Sequence, residues 1–375
     1  MITRNNKNLT NNLHFNILKS TLFALNSVAG IVLIFSSLAG NFAPSNNTWI
    51  QAFGLVYPII IIVNLIFLFY WIITKSRLAA FSLVILLFGF NNINYNFQIS
   101  LTNTEVANPA QIKVLSYNVQ QFGEQTRNLS TQDTKSSIIN FLLDQSADIV
   151  CLQEYHSANT QLYKPLKEIR DTLSADTYYY ESYFNPKYNQ LSGLVTFCKY
   201  EAINKGKLKF TGSRTFGIYT DIVIENDTIR VFNIHLASIK LKPEDLDFVV
   251  NPEADNSDEL KSHSSDIYHK LIQAYLLREK QLKYLVDEIK STKYEIILCG
   301  DFNDTPSSWV YNQLQQYLTD AFVKKGMGIG RTYAGPLPFL RIDYILTGNN
   351  FKINGFTRHN MIKSDHFPIS AIITR

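Results

Sequence analysis

Two kinds of hydrophobic pattern divide the chain. From Ser20 to Ala39 and again from Ala52 to Ile73 the sequence is uncharged and rich in Leu, Ile, Val and Phe. Each run is long enough to cross a hydrocarbon core of about 30 Å, which takes about 20 helical residues. A third apolar run, Leu78 to Phe90, continues without charge through Asn91 to Phe97. It reads as a short spanning helix over about 78–97 with an interfacial Tyr/Phe belt, against a re-entrant or surface helix. Beyond Gln111 the apolar runs shrink to strand length, and several end on a polar residue: Val114 to Asn118, Asp148 to Glu154, Val231 to His235 and Glu295 to Asn303.

The pattern predicts a strand at Ile112 to Tyr117, a helix over 133–146 with Ile138, Ile139, Leu142 and Leu143 at helical spacing, and a strand at Asp148 to Gln153. Strands follow at 178–184 and 193–199, then a hairpin of 219–224 and 228–235 around Glu225-Asn-Asp227. Residues 266–290 form the longest amphipathic helix, with Leu271, Tyr275, Leu282, Leu285 and Ile289 on one stripe. Ile296 to Cys299 reads as a strand buried on both faces, followed by a helix from Ser308 to Leu318 with a Ser cap. The tract Lys324 to Pro338 is a surface loop, and Arg341 to Leu346 and Phe367 to Ile373 are the closing strands. Domain organisation is therefore a membrane anchor over 1–97 with two or three spans, a polar linker over 98–110, and a folded domain over 111–375.

Charge is split as sharply as hydropathy. Residues 1–104 hold five Lys or Arg and no Asp or Glu, whereas 105–375 hold 30 basic and 31 acidic residues. A near-neutral domain argues against a dedicated duplex-binding protein, whose affinity comes from basic surface. Arg4, Lys7 and Lys19 precede the first span and Lys75 with Arg77 separates the second from the third, so the positive-inside rule puts the N-terminus and the 74–77 loop in the cytoplasm. Three spans then leave the domain outside, on a multi-pass protein of the cell (inner) membrane; a signal peptide at the first run would leave the same external domain. Cys151, Cys198 and Cys299 lie in apolar runs and read as packed, reduced thiols.

Chemistry concentrates where strands stop. Asp301 and Asn303, two apart on extended backbone, point the same way, so an anionic acceptor and an amide donor converge as a base beside a phosphate would require; an Asx-turn is the plainer alternative. Glu154 is the hard oxygen donor that Mg²⁺ or Mn²⁺ prefers, or simply a solvated strand end. His235 closes its strand in the same way. The insertion Ser238 to Glu259 carries seven acidic residues against Lys240 and Lys242 and reads as an acidic flap over the site or a solvated loop.

Taken in order, Asn118, Glu154, His235, the Gly-Asp-Phe-Asn at 300–303, Asp343 and Ser364-Asp365-His366 resemble the endonuclease/exonuclease/phosphatase superfamily in its membrane-anchored bacterial form, over Gln111 to Arg375. The superfamily includes DNase I, abasic-site endonucleases, neutral sphingomyelinases and inositol-polyphosphate 5-phosphatases. The resemblance implies a DNase I-like four-layer α/β sandwich of two packed mixed sheets flanked by helices. It implies Mg²⁺ (or Mn²⁺) held by Glu154, Asn118 and Asp365, with Asp301 activating water and Asn303 positioning it or the phosphate. It also implies His235 on the phosphate or leaving oxygen, His366 on the phosphoryl oxygens, and Asp343 hydrogen-bonded to His366. Arg278 and Gln281 match a recurrent Arg-x-x-Gln and read as support. The expectation is a membrane-tethered phosphoesterase acting on a phosphodiester or phosphomonoester, with a lipid or small-molecule substrate favoured over nucleic acid. The alternatives are a non-specific extracytoplasmic endonuclease/exonuclease and a non-catalytic binding protein on the same fold.

Overall fold

The computed structural model describes residues 2–100, 111–123, 131–158, 163–185, 190–210, 212–251, 257–337 and 339–375. Most of the linker, 101–110, lies outside them. Three helices open the chain: α1 (Ile2–Leu38), α2 (Thr48–Ile73) and α3 (Leu78–Asn96). Two stretches, Asn16–Asn41 and Thr48–Ile73, are long and apolar enough to cross a membrane, and Leu78–Phe90 is a shorter apolar helix. Between them they bury polar side chains beside the apolar cluster of Leu33, Tyr57, Ile61, Ile85 and Leu86, and they leave large apolar residues outside. Asn26 and Asn64 are fully buried while Ile62, Ile66, Phe69 and Leu87 are exposed. Asn26 Oδ1 accepts from Trp71 Nε1 (2.9 Å) and Ser82 Oγ (2.7 Å), and Tyr57 OH donates to Gly89 O (2.6 Å), so polar side chains join the three helices from within.

The remainder comprises β1 (Ile112–Asn118), α4 (Thr131–Gln145), β2 (Ile149–Ala158), α5 (Tyr163–Thr172), β3 (Thr177–Asn185), β4 (Gln190–Cys198), β5 (Ala202–Leu208), β6 (Gly217–Ile224) and β7 (Asp227–His235). It continues with α6 (Pro243–Val250), α7 (Ser257–Ser291), β8 (Glu295–Asp301), α8 (Trp309–Leu314), β9 (Thr319–Asp320), α9 (Ala321–Lys325), β10 (Asp343–Thr347), β11 (Lys352–Arg358) and β12 (Ile369–Thr374). Two six-stranded sheets form, β11-β12-β1-β2-β4-β3 and β5-β6-β7-β8-β10-β9. Both are mixed: β1 and β2 run parallel, as do β7 and β8, while their neighbours are antiparallel.

Alternation along the central strands builds the layers. Val114, Ile149, Cys151, Val231, Ile297 and Cys299 fill the space between the sheets. Their neighbours Leu115, Val150 and Leu152 face α4 and α5, and Phe232, Ile234, Ile296 and Leu298 face α7 and α8. Helix, sheet, sheet, helix is the DNase I-like four-layer sandwich. All three cysteines are free, buried and packed in the inter-sheet core.

The structure departs from the pattern where polarity hid an element. Strand β5 has the exposed, Lys- and Asn-rich face of a sheet edge. Helix α7 begins at Ser257, nine residues before the apolar stripe signals it, and α8 stops at Leu314, followed by a turn over 315–317. The expected insertion at 238–259 is partly helical, holding α6 and the first turn of α7.

The helical trio is docked onto the sandwich by named bonds. Ser45 donates from N and Oγ to Glu279 (2.6 and 2.8 Å), and Asn96 Nδ2 donates to Ser307 Oγ (3.3 Å). Thr305 Oγ1 donates to Gly54 O (3.3 Å), and Arg341 Nη2 donates to Tyr95 O (2.8 Å). Gly54 lets the chain at Ser307 approach: a Cβ there would stand 3.2 Å from Ser307 O.

Candidate active site

The two parallel strand pairs deliver their ends to one place. Asn118 closes β1 opposite Gln153 of β2, and His235 closes β7 opposite Asp301 of β8. Strand β10 runs back from that end, so its first residue, Asp343, pairs with Asp301. Strand β12 runs antiparallel to β1, which carries Asp365 and His366, just before it, to the same mouth.

The side chains meet there. Asn118 Nδ2 donates to Asp301 Oδ2 (3.0 Å) and, more weakly, to Glu154 Oε1 (3.4 Å). His235 Nε2 stands 3.5 Å from Asp301 Oδ2 and 3.7 Å from Glu154 Oε1, without a hydrogen-bond partner. His366 Nδ1 bonds Asp343 Oδ2 at 2.9 Å, and its Nε2 faces Asp301 and Asp365, each at 3.8 Å. Of the expected site residues, Asn118, Glu154, His235, Asp301, Asn303, Asp343, Asp365 and His366 all line or abut one cleft.

Enclosure sets the charges. Burial lifts the Asp301 carboxyl above its ordinary pKa, with Asp343 adding to the effect against His366, His235 and the Asn303 N–H. Burial likewise raises Glu154, with Asp365 and Asp301 adding and the two histidines opposing. Burial works against charge on His366, but Asp343, Asp301 and Asp365 outweigh it and hold the imidazole pKa well above the usual value. Several acids crowded together, with two of their pKa values raised, are what a hard cation would relieve. The buried group Asp301, Asp343 and His366 brings ligand atoms within 4.8 Å of one another and could hold an ion. Because Asp343 already occupies His366 Nδ1, the more open carboxylates of Glu154 and Asp365 fit a hydrated divalent cation better.

The two asparagines are already hydrogen-bonded within the site. Asn118 offers its amide nitrogen to the carboxylates while its Oδ1 accepts from Gln120 N (3.0 Å), so metal ligation through Oδ1 would require the amide to turn over. Asn303 Nδ2 donates to Leu236 O (3.0 Å) and Asp301 Oδ2 (3.2 Å), and its N–H donates to Asp301 Oδ1 (2.8 Å). Both amide hydrogens are thereby engaged, one of them on Asp301, at the edge of the cleft.

Backbone strain marks the same place. Glu154 does not end its strand, as its position in the sequence suggested; it sits in a bulge where the β2–β4 register shifts, at φ 51°, and β2 runs on to Ala158. Asn303 has φ 52°, a region its side chain tolerates. Gly300 has φ 151°, and a Cβ there would collide with Ile234 O. Gly300→Ala is therefore expected to cost about 3 kcal/mol and displace Asp301, seen as a lower unfolding midpoint together with lost turnover.

Residues outside the sequence motifs complete the site. Gln120, in a one-turn segment with left-handed backbone at 120–122, accepts from Asp365 N through Oε1 (3.0 Å) and lines the cleft. Tyr333 stacks edge-on against His366 at 5.9 Å. Arg278, expected as support, is fully buried, pairs with Asp304 (3.1 Å) and donates to Ala237 O (3.0 Å), while Gln281 accepts from Ala237 N (2.9 Å). The two residues thus brace the turn after His235. Of the 238–259 insertion, whose Glu253 and Asp255 lie outside the described residues, Ile239, Leu241 and Leu246 face the cleft, and Asp245 is paired with Lys270 at 2.6 Å.

A sandwich whose strand ends gather carboxylates, histidines and amides at one mouth defines a phosphoesterase-type hydrolase fold. Residues 115–366 match the Endonuclease/Exonuclease/phosphatase family, and the chain belongs to that family, whose members are hydrolases acting on phosphoesters. Residues 19–96 match a domain of unknown function. A comparison with curated proteins finds no match. Among solved structures, a Bacteroides vulgatus family protein shares 15% identity at TM-score 0.52, over 70% of this chain and 98% of its own. One from Leptotrichia buccalis shares 17% at 0.51, over 70% and 100%, and the human Nocturnin catalytic domain with bound sulfate shares 16% at 0.50, over 74% and 96%. At these identities the likeness is one of fold.

Proposed function

We propose that the protein is a membrane-tethered, divalent-metal-dependent phosphoesterase that hydrolyses a phosphodiester or phosphomonoester. One observation carries the reading: Glu154, Asp301, His235, Asp365 and the Asp343–His366 pair, drawn from both sheets, surround one cleft. Glu154 and Asp365 would hold the ion, and when bound it would neutralise phosphate charge and stabilise the leaving oxygen. Asp301, with its raised pKa, takes the proton from the attacking water, and Asn118 and Asn303 hold its carboxylate in place. His366, kept protonated by Asp343, presents Nε2–H to the phosphoryl oxygens. His235 Nε2, partnerless and aimed at the carboxylates, meets the phosphate or the leaving oxygen.

The membrane reading rests on the exposed apolar faces and inward polar bonds of α1–α3, an arrangement suited to lipid solvent. With the N-terminus cytoplasmic, three crossings put the cleft on the extracytoplasmic side, and 78–97 serves as the third. A non-specific nuclease remains the second reading, favoured by a groove that leaves the site past Arg214, Lys240 and Lys280.

The test is hydrolysis of bis-p-nitrophenyl phosphate and p-nitrophenyl phosphate by the full chain in nanodiscs. Mg²⁺ or Mn²⁺ should support turnover, EDTA should remove it, and fresh metal should restore it. Turnover indifferent to EDTA, or none with either ester, overturns the reading.

A further inference from the structure

The catalytic cleft, of about 590 Å³, takes one of its lining residues, Leu55, from α2. Leu55 of that helix lines it with Ile239, Leu241 and Leu246 of the 238–250 segment and Leu337 and Leu340 of the Gly/Pro loop, opposite Glu154, Asp301 and His366. Leu55 lies seven residues into a helix that starts at Thr48, or about 10 Å along its axis. In a spanning helix that is the depth at which headgroups give way to hydrocarbon. The neighbours of Leu55 on α2, Val56 and Ile59, the latter one turn on, are exposed and apolar. On the other side, Glu154 and His235 open onto a larger groove of about 1330 Å³ bearing Arg214, Lys240 and Lys280, whose acidic lining is Glu154 alone among the described residues.

Resting on the phosphoesterase reading, we propose that the substrate is a membrane phospholipid that reaches the site laterally from the bilayer. Its hydrocarbon lies against Leu55, Ile239, Leu246 and Leu340, its phosphate meets Asp301 and His366, and its headgroup extends toward Arg214, Lys240 and Lys280. An anchor helix that only tethered the domain would have no reason to line the cleft. A water-soluble ester would gain nothing from that apolar lining, whereas each CH₂ buried there contributes about 0.8 kcal/mol. One water is consumed in the reaction: its oxygen bonds phosphorus and gives a proton to Asp301, the ester P–O bond breaks, and the departing oxygen takes a proton.

The experiment uses the full chain in nanodiscs with Mg²⁺. It compares phosphatidylglycerol, phosphatidylethanolamine, a phosphatidylinositol phosphate and sphingomyelin, each with its chain-free headgroup ester, alongside bis-p-nitrophenyl phosphate. At least one lipid should exceed its chain-free ester by about tenfold or more in kcat/KM, and Leu55→Gln and Leu246→Gln should each lower that ratio about tenfold. A second readout needs no turnover: in EDTA, phosphatidylglycerol with a diazirine in its acyl chain should crosslink within 239–246 and 334–340. If the p-nitrophenyl diester is cleaved but no lipid surpasses its chain-free ester, or crosslinks fall only on outward residues such as Ile62 and Phe69, lateral access is wrong and the phosphoesterase reading stands. If nothing is cleaved, both fall.

Discussion

Asp301→Asn is expected to lower kcat by about 10³ to 10⁴ while leaving the fold intact. The carboxylate accepts three hydrogen bonds, from Asn118 Nδ2 and Asn303 Nδ2 on one oxygen and Asn303 N on the other. An amide replaces one accepting oxygen with an NH₂ and removes the basic lone pairs, so water has no proton acceptor in the cleft at the same position. Stability should behave differently. Relief of the buried charge and the donor-to-donor contact that the new NH₂ makes oppose each other, so the unfolding midpoint should move only by a few degrees. Turnover within about tenfold of the native rate, measured on the soluble diester with saturating Mg²⁺, would remove Asp301 from the role of base.

How much of this was legible before any coordinates follows from the physics of each element. Ile296 to Cys299 declares itself because a central strand flanked by a parallel neighbour is buried on both faces and has nowhere to place a polar side chain. The polar residues at the ends of such strands are legible for the same reason: they are the first positions free to be polar. Strand β11 and helix α5 are not, since each carries charge on an exposed face and the pattern is diluted. The position of Glu154 in a bulge is invisible because a bulge is a matter of register against β4, which no run of residues encodes. Likewise Asn118 donates to Asp301, 183 residues away, and Asn303 to Leu236, 67 residues away, pairings that no local pattern encodes. The docking of the helices was also hidden, resting on single bonds from Ser45, Gly54, Tyr95 and Asn96, which nothing in their neighbourhood singles out. Leu55 reads as one more apolar residue of a span until the cleft beside it is seen.

Arg341→Met should be the most destabilising change outside the reacting groups, at about 3 to 5 kcal/mol. The guanidinium is 2% exposed, bonds Asp320 Oδ2 through Nη1 (2.7 Å) and lies over the rings of Phe322 and Tyr344 at 4.5 and 4.6 Å. Methionine fills much of the volume but leaves Asp320 buried with Tyr311 OH and Phe322 N as its remaining donors. The same substitution cuts the bond to Tyr95 O, so it loosens α3 from the sandwich as well as the strand that carries Asp343 two residues on. The expected readout is a fall of roughly 10 °C in the midpoint of the full chain in detergent, with proteolysis appearing at the end of α3. Adding Asp320→Asn should recover part of the loss, because the cost is mainly an uncompensated buried charge. An unchanged midpoint would mean that Arg341 contributes no net stability, and unchanged protease resistance would mean that the contact with Tyr95 does not hold the anchor to the catalytic sandwich.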